Sequence, residues 1–245
     1  MAEVIGPEPA GAPGALRPPD DIQSMFDGIV GSYDVMNRLM TGGMDLAWRR
    51  AAARAAIGAG AERVLDLATG TGDLALELAR RGVPIVIGLD FSQEMLHAAS
   101  DKLRQAGVPT IRLSRGDAMR LPFASDTFDA LTVGFGLRNM PDYGDAIVEM
   151  ARVVKPGGRV VILEMSPLQR SIFNTAVGLY FERIVPLVGG LVSGDRDAYR
   201  YLPNSVSAFP PPERLVELMR DAGLRNVRFE RFALGTVALH IGIKR

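Results

Sequence analysis

Between Val64 and Leu163, short apolar runs alternate with longer segments whose apolar residues recur every three or four positions. The runs indicate strands and the recurring pattern indicates helices, because a helix returns to the same face about every 3.6 residues. We predict strands at Val64–Leu67, Ile85–Leu89, Ile111–Arg115, Ala130–Val133 and Val160–Leu163, and helices at Leu74–Arg80, Gln93–Leu103 and Tyr143–Val153. This alternation favours right-handed crossovers and a mostly parallel sheet with helices on both faces.

The C-terminal part of the chain adds a helix and two strands to this pattern. The segment PPERLVELMRDAGL predicts a helix that begins at a proline and ends at Gly223. The segment VRFERFALGTVALHIGIKR predicts two strands joined around Gly235–Thr236, which pair most simply as an antiparallel unit at the sheet edge. VVKPGG predicts a turn between a helix and the next strand. The expected fold class is α/β, with a mostly parallel seven-stranded sheet and an antiparallel edge pair.

Three segments lie outside this α/β pattern. Residues 1–21 are rich in proline and glycine, which is typical of a disordered leader. Residues 22–57 predict a helical N-terminal lid, and residues 166–209 predict a helical insertion. Both could cover the carboxyl ends of the strands, where open sheets bind ligands. We therefore expect residues 22–245 to form a single domain.

Composition excludes several classes of function. Lysine plus arginine and aspartate plus glutamate both number 28, so no basic surplus indicates nucleic acid binding. The chain has no cysteine and two histidines, His97 and His240, so it predicts no metal site. The apolar run from Ala176 is interrupted by Glu182, Arg183 and Pro186, which disfavours a membrane-spanning helix. We expect a cytoplasmic protein, and the sequence is compatible with peripheral membrane contact and with a homo-oligomer.

The loop after the first predicted strand indicates a nucleotide-derived cofactor. Gly70, Gly72 and Ala75, followed by Asp90 at the end of the second strand, match the dinucleotide fingerprint. However, Asp73 begins the next helix, where a pyrophosphate would need free N–H groups and a positive dipole end. S-adenosylmethionine carries a sulfonium and an ammonium instead of phosphates, so acidic residues around the loop favour it over a nicotinamide dinucleotide.

Acidic residues at successive strand ends support the same cofactor. Asp66 precedes the glycine loop, Asp90 can accept from both ribose hydroxyls, and Asp117 can accept from an adenine amino group. Phe91, directly after Asp90, is a further candidate contact. The alternative interpretation is that Asp73 caps a helix and Asp117 begins a turn.

Several longer motifs resemble the class I methyltransferases that C-methylate menaquinone and ubiquinone precursors. They are YDVMNRLMTGGMDLAW, LDLATGTGD, FGLRNMPD, RVVKPGGRVVILEMS, YRYLPNSV and ALHIGIK. The resemblance implies the Rossmann-like fold of class I S-adenosylmethionine-dependent methyltransferases. It also implies C-methylation of a polyprenylated quinol precursor, demethylmenaquinol or, alternatively, a benzoquinol of the ubiquinone pathway.

The resemblance also assigns cofactor positions. They are Thr71, Asp90, Asp117, Ala118 and Gly134, where many relatives carry serine at the position of Gly134. Thr41 and Asp45 replace the serine and histidine of one version of the family pattern, so Asp45 is not assigned a catalytic role.

Transfer of a methyl group from a sulfonium to a ring carbon needs an electron-rich ring, in-line approach of that carbon to the methyl group and loss of a proton from the ring. Arg138 could stabilise a phenolate and Asn139 could orient a ring oxygen, or both could anchor a loop. His240 could relay a proton or be a core histidine, and Tyr33 could donate to a ring oxygen. A nicotinamide oxidoreductase and a catalytically silent module that binds the cofactor and a lipid remain as alternative functions.

Overall fold

The computed structural model describes residues 17–58, 60–108, 110–167 and 196–245. The helices are α1 (Pro19–Thr41), α2 (Met44–Ile57), α3 (Asp73–Arg80), α4 (Gln93–Gln105), α5 (Tyr143–Val153), α6 (Arg196–Ala208) and α7 (Pro212–Asp221). The strands are β1 (Arg63–Leu67), β2 (Ile85–Asp90), β3 (Ile111–Arg115), β4 (Phe128–Gly134), β5 (Val154–Met165), β6 (Leu224–Phe232) and β7 (Val237–Lys244).

The strands form one seven-stranded sheet in the order β3-β2-β1-β4-β5-β7-β6. The first five are parallel, and β7 pairs antiparallel with both β5 and β6. This topology confirms the predicted mostly parallel sheet with an antiparallel edge pair. The strand order reverses between β1 and β4, and the crevice at the carboxyl ends of these strands is where open α/β sheets bind ligands.

Side-chain alternation along the strands builds a core on each face of the sheet. Val64 and Ala130 pack with residues of α2 and α3 on one face. Leu65 and Leu131, their neighbours in sequence, pack with residues of α5 and α7 on the other face. Because both faces are covered, the strand ends and the loops that follow them are the sites left for ligand binding.

Helix α1 begins earlier and strand β5 is longer than the pattern predicted. Pro19 starts α1 inside the predicted leader, which is favourable because proline fits the first turn and acidic residues follow it. The turn predicted at VVKPGG is wrong, because Val153 ends α5 and residues 154–158 already belong to β5. There an added Cβ at Gly158 would lie 2.6 Å from the carbonyl oxygen of Asp129, so only glycine allows this close approach.

Some predictions fall on residues 1–16 and 168–195, which lie outside the described residues. They include most of the predicted leader and most of the predicted helical insertion. Within the described ranges, no helix combines the length and the apolarity that a bilayer crossing requires.

Candidate functional site

The loop after β1 is shaped by the buried carboxylate of Asp66. The hydroxyls of Thr69 and Thr132 donate to its two oxygens at 2.6 and 2.8 Å. Burial raises the pKa of Asp66 to about 6, although both hydroxyls and the charge of Arg49 act in the opposite direction. Asp66 lines neither of the two cavities described below. Its placement supports a role in holding the loop rather than direct contact with a ligand.

Gly70 lies between the second strand end and helix α1. Its φ is +56° and that of Gly72 is +84°, conformations that L side chains rarely adopt. The N–H of Gly70 donates to Oδ2 of Asp90 at 2.7 Å. A Cβ at Gly70 would lie 4.0 Å from Cε1 of Tyr33, so the ring of Tyr33 lies over the loop. The structure therefore brings three predicted site residues, Gly70, Asp90 and Tyr33, into one neighbourhood.

A charge cluster joins helices α1, α2 and α4 to the glycine loop. Its members are Asp34, Arg38, Asp45, Arg49, Asp73 and Lys102. The hydroxyl of Thr71 joins the cluster by donating to Asp34 at 2.6 Å and accepting from Lys102 at 3.0 Å. Sequence reasoning missed this cluster, because its residues come from separate elements and no local motif links them.

Asp73 is paired with cations of this cluster and is not a free carboxylate. It accepts from Arg38 at 2.6 Å and from Lys102 at 2.8 Å. Burial alone would raise the pKa of Asp73, but the charges of Arg49 and Lys102 outweigh burial and lower the pKa. Because the protein's own cations already surround Asp73, its carboxylate gives little support to the prediction that acidic residues of this loop attract the positive charge of the cofactor.

The strand-end cavity, about 370 Å³ in volume, opens at the carboxyl ends of β1, β2 and β3. It brings together five predicted site residues: Asp90, Phe91, Asp117, Ala118 and Asn139. Helix α1 contributes Ile22 and Phe26 to its wall. Burial raises the pKa of Asp90, while N–H donors from Ser92 and Gly70 oppose this shift.

The charges around the strand-end cavity indicate which class of ligand fits. Among the described residues that line it, Asp90 and Asp117 are charged and there is no lysine or arginine. Both oxygens of Asp90 already accept from backbone N–H groups, yet each carboxylate oxygen has a second acceptor site for a ribose hydroxyl. The cavity thus suits the adenosine of S-adenosylmethionine and disfavours a pyrophosphate.

The methionine cavity, about 420 Å³ in volume, lies beside the first and shares Phe26 with it. Among the described residues, five methionines line it: Met25, Met36, Met40, Met44 and Met165. Tyr33, Arg49, Arg138 and Tyr201 provide polar groups in this apolar wall. A largely apolar cavity with a few polar groups is typical of a site for a hydrophobic small molecule.

Arg138 and Asn139 are adjacent in the chain but face different cavities. Nη1 of Arg138 donates to Oε1 of Glu164 at 2.9 Å and to the carbonyl oxygen of Phe135 at 2.6 Å, while its side chain lines the methionine cavity. Asn139 lines the strand-end cavity, and its Oδ1 accepts from the hydroxyl of Tyr201 at 3.2 Å. Arg138 is thus both a loop anchor and a polar group of the cavity wall.

Two glycines, one at the end of β4 and one just after it, allow close approach to neighbouring elements. A Cβ at Gly134 would lie 3.3 Å from Nη1 of Arg49. A Cβ at Gly136 would lie 2.5 Å from Cβ of Ala68, so a side chain there would displace the loop after β1. Sequence reasoning did not select Gly136, which lines the strand-end cavity, although it lies within the quoted FGLRNMPD motif.

The structure does not bring His240 to either cavity. His240 is buried on β7, where its Nε2 lies 3.1 Å from the carbonyl oxygen of Pro212 and its ring stacks on Phe229. Burial lowers the pKa of His240 to about 4, so the ring is neutral at physiological pH. This placement favours the alternative interpretation of a core histidine.

Comparison with known proteins identifies the family. The sequence matches the ubiE/COQ5 methyltransferase family over residues 17–244. It is 47% identical to the demethylmenaquinone methyltransferase of Thermus thermophilus over 219 residues, covering 89% of this chain and 99% of that protein. It is 45% identical to the demethylmenaquinone methyltransferase of Deinococcus radiodurans, covering 91% of this chain and 92% of that protein.

A solved structure shares the fold at low sequence identity. It is a SAM-dependent methyltransferase of Thermotoga maritima, with a TM-score of 0.64 and 18% identity, covering 91% of this chain and all of that chain. The cofactor is S-adenosylmethionine, which agrees with the carboxylates of the strand-end cavity. The chain belongs to the ubiE/COQ5 methyltransferase family.

Proposed function

We propose that this protein transfers a methyl group to a ring carbon of demethylmenaquinol, a polyprenylated naphthoquinol. The observation that carries the proposal is that the strand-end cavity and the methionine cavity are neighbours that share the wall residue Phe26. A nucleoside in the first cavity would thereby lie next to an apolar ring in the second. The names of the two relatives support menaquinone synthesis over ubiquinone synthesis.

S-adenosylmethionine supplies an electrophilic methyl group when it is bound. Asp90 would hold its ribose, and Asp117 would accept from its adenine amino group. On the substrate side, the guanidinium of Arg138 would favour the phenolate form of the quinol, which makes the ring carbon electron-rich. Tyr33 would donate to a ring oxygen, and Asn139 would orient the reactants where the cavities meet. These contacts position the reactants, and no enzyme nucleophile is required.

Transfer of an isotopically labelled methyl group tests the proposed reaction. Purified protein, labelled S-adenosylmethionine and a short-chain demethylmenaquinol should give a naphthoquinol that carries the label on ring carbon. The oxidised quinone should not react, because its ring is electron-poor. A product labelled on oxygen, or faster turnover with a benzoquinol precursor, would reject the proposed substrate and position.

We further propose that the predicted insertion helps to hold the isoprenoid tail. Tyr201 and Leu202, from its described C-terminal part, line the methionine cavity. Each buried methylene contributes on the order of 0.8 kcal/mol before losses. The Michaelis constant should therefore fall as isoprene units are added to the substrate, until the available space is filled. No dependence on tail length would reject this role.

Peripheral contact with a lipid surface is also proposed, because the substrate is a lipid. Met44 and Leu234 line the methionine cavity and yet are 50% and 79% exposed, so apolar side chains surround its opening. Leu234→Ser should reduce co-sedimentation with phospholipid vesicles, since it removes one exposed apolar group. Val148→Ser is a matched control, because Val148 is 53% exposed on α5 and does not line this cavity. Equal loss in both variants would reject a specific lipid contact.

A further inference from the structure

Arg49 is a buried cation whose hydrogen-bonding groups are unused. Its side chain is 9% exposed and lines the methionine cavity. Its Nε is buried without a hydrogen-bond partner, and within the described part of the chain no hydrogen bond reaches the rest of the guanidinium. A buried polar group without a partner in a cavity wall indicates a missing ligand.

The carboxylates nearest to Arg49 are engaged by other groups. Nε of Arg49 lies 3.6 Å from Asp45 and 3.8 Å from Asp73, longer than a charged hydrogen bond. Asp45 pairs closely with Arg38 and also accepts from Thr41, while Asp73 accepts from Arg38 and Lys102. The negative charges of Asp45 and Asp73 stabilise the buried positive charge of Arg49. They leave its N–H groups available to donate to an anionic oxygen of a ligand.

The position of Arg49 shows which anionic oxygen it can reach. Gly134 has no side chain, and Nη1 of Arg49 lies 3.3 Å from the place where its Cβ would be. The guanidinium also lies over the ring of Phe135, 5.2 Å from the centroid. Arg49 therefore lies at the carboxyl end of β4. It is on the side of the crevice where the glycine loop leads into helix α3.

The cofactor's amino-acid part must cross this region. The proposed function places its ribose at Asp90, whose carboxylate accepts a hydrogen bond from the N–H of Gly70. Beyond Gly70 lies Tyr33, which belongs to the wall of the methionine cavity together with Arg49. An amino acid that extends from the ribose past Gly70 thus approaches Arg49.

We propose that Arg49 binds the α-carboxylate of S-adenosylmethionine. This inference rests on the proposed function for the position of the cofactor's ribose at Asp90. The guanidinium offers parallel N–H donors, which match the two oxygens of a carboxylate better than the single oxygen of a phenolate. Arg138, whose side chain is held by Glu164 and the carbonyl oxygen of Phe135, remains for the substrate's ring oxygen. Arg49 would thereby bind the carboxylate of the cofactor, and Arg138 would bind the ring oxygen of the substrate.

Calorimetry with two ligands tests the proposal. S-adenosylhomocysteine has the α-carboxylate, and its decarboxylated analogue keeps the amine and the adenosine. The wild-type protein should bind S-adenosylhomocysteine about 10–100-fold more tightly than the analogue, as expected for a charge-assisted hydrogen bond. In Arg49→Gln this ratio should fall to about threefold or less. Arg50→Gln is the matched control, because Arg50 is exposed on α2 and lines neither cavity, and it should keep the wild-type ratio.

The outcomes separate this inference from the proposed function. If Arg49→Gln weakens both ligands equally, Arg49 only supports the charge cluster and the inference is wrong. If affinity for both ligands is kept while turnover falls, Arg49 serves the substrate and the inference is also wrong. Should Arg49→Gln not fold, the same affinity ratio is measured in Arg49→Lys, where it should be lower than in the wild type. A ratio near one in the wild-type protein overturns the proposal. A wild-type protein that binds neither ligand would instead reject the cofactor assignment.

Discussion

Replacing Arg138 by methionine should lower the free energy of unfolding by about 3 kcal/mol, the low end for removal of one partner of a buried ion pair. Glu164 is 1% exposed, and its Oε1 lies 2.9 Å from the guanidinium of Arg138. The N–H groups of Met165 and of residue 138 itself would still donate to the carboxylate, which is why we choose the low end. At this chain length the melting temperature should fall by about 6–12 °C.

The double variant Arg138→Met with Glu164→Gln separates stability from catalysis. Its stability should return close to that of the wild type, because no buried charge is left without a partner. Its turnover should stay about 100-fold or more below wild type, since the guanidinium that favours the phenolate is still missing. Arg138→Ala alone could not make this distinction, because loss of folding and loss of chemistry would coincide.

Urea unfolding of the wild type, both single variants and the double variant gives the coupling free energy of the pair. S-adenosylhomocysteine calorimetry on the same proteins checks that the strand-end cavity is intact. A single Arg138→Met variant as stable as the wild type would refute the argument from the buried charge. Wild-type turnover in the double variant would remove Arg138 from the chemistry and leave it as a loop anchor.

Three further predictions address the cofactor site and pH dependence. Asp90→Ala should weaken S-adenosylhomocysteine binding by about 2–4 kcal/mol in calorimetry, and unchanged affinity in a folded variant would remove Asp90 from the site. Gly136→Ala should weaken the same binding about tenfold or more, because the added Cβ would lie 2.5 Å from that of Ala68. Gly31→Ala is the control, because a Cβ at Gly31 would have no atom within 4 Å. It should stabilise α1 by about 0.5–1 kcal/mol in urea unfolding. Burial lowers the pKa of His240 from 6.5 to about 4. The free energy of unfolding should therefore be unaffected by this histidine above pH 6.5 and should fall by about 3 kcal/mol as the pH falls to about 4, because the unfolded chain binds the proton first. Urea unfolding across this range should show that loss in the wild type and not in a His240→Gln variant.

The sheet was predictable because its signals are local. Strands β1, β2 and β4 each carry an apolar run, and their buried residues alternate between the two faces as the pattern required. The antiparallel edge pair followed from the two runs around Gly235–Thr236. Where the prediction failed, as at VVKPGG, the cause was the close approach of Gly158 to Asp129, a contact that no local pattern contains.

Part of the site was also predictable, because parallel strands place their carboxyl ends at one edge. Asp90 and Asp117 follow neighbouring strands and therefore line one cavity. The same reasoning placed Arg138 and Asn139 after β4, but it could not show that they face different cavities. Nor could it show that the hydroxyl of Tyr201 contacts Asn139, because that contact depends on how α6 packs.

The sequence by itself determined the α/β fold, the glycine loop, the acidic strand ends and the family resemblance, since each depends on residues close together in the chain. Only the tertiary structure decided the partners of charged groups. Arg138 and Glu164 are 26 residues apart, and Thr71 and Asp34 are 37 residues apart. Whether a carboxylate such as Asp73 is free, or the Nε of an arginine such as Arg49 is left without a hydrogen-bond partner, depends on which helices pack together. Electrostatic pairing acts through space, so hydrophobic periodicity along the chain carries no information about it.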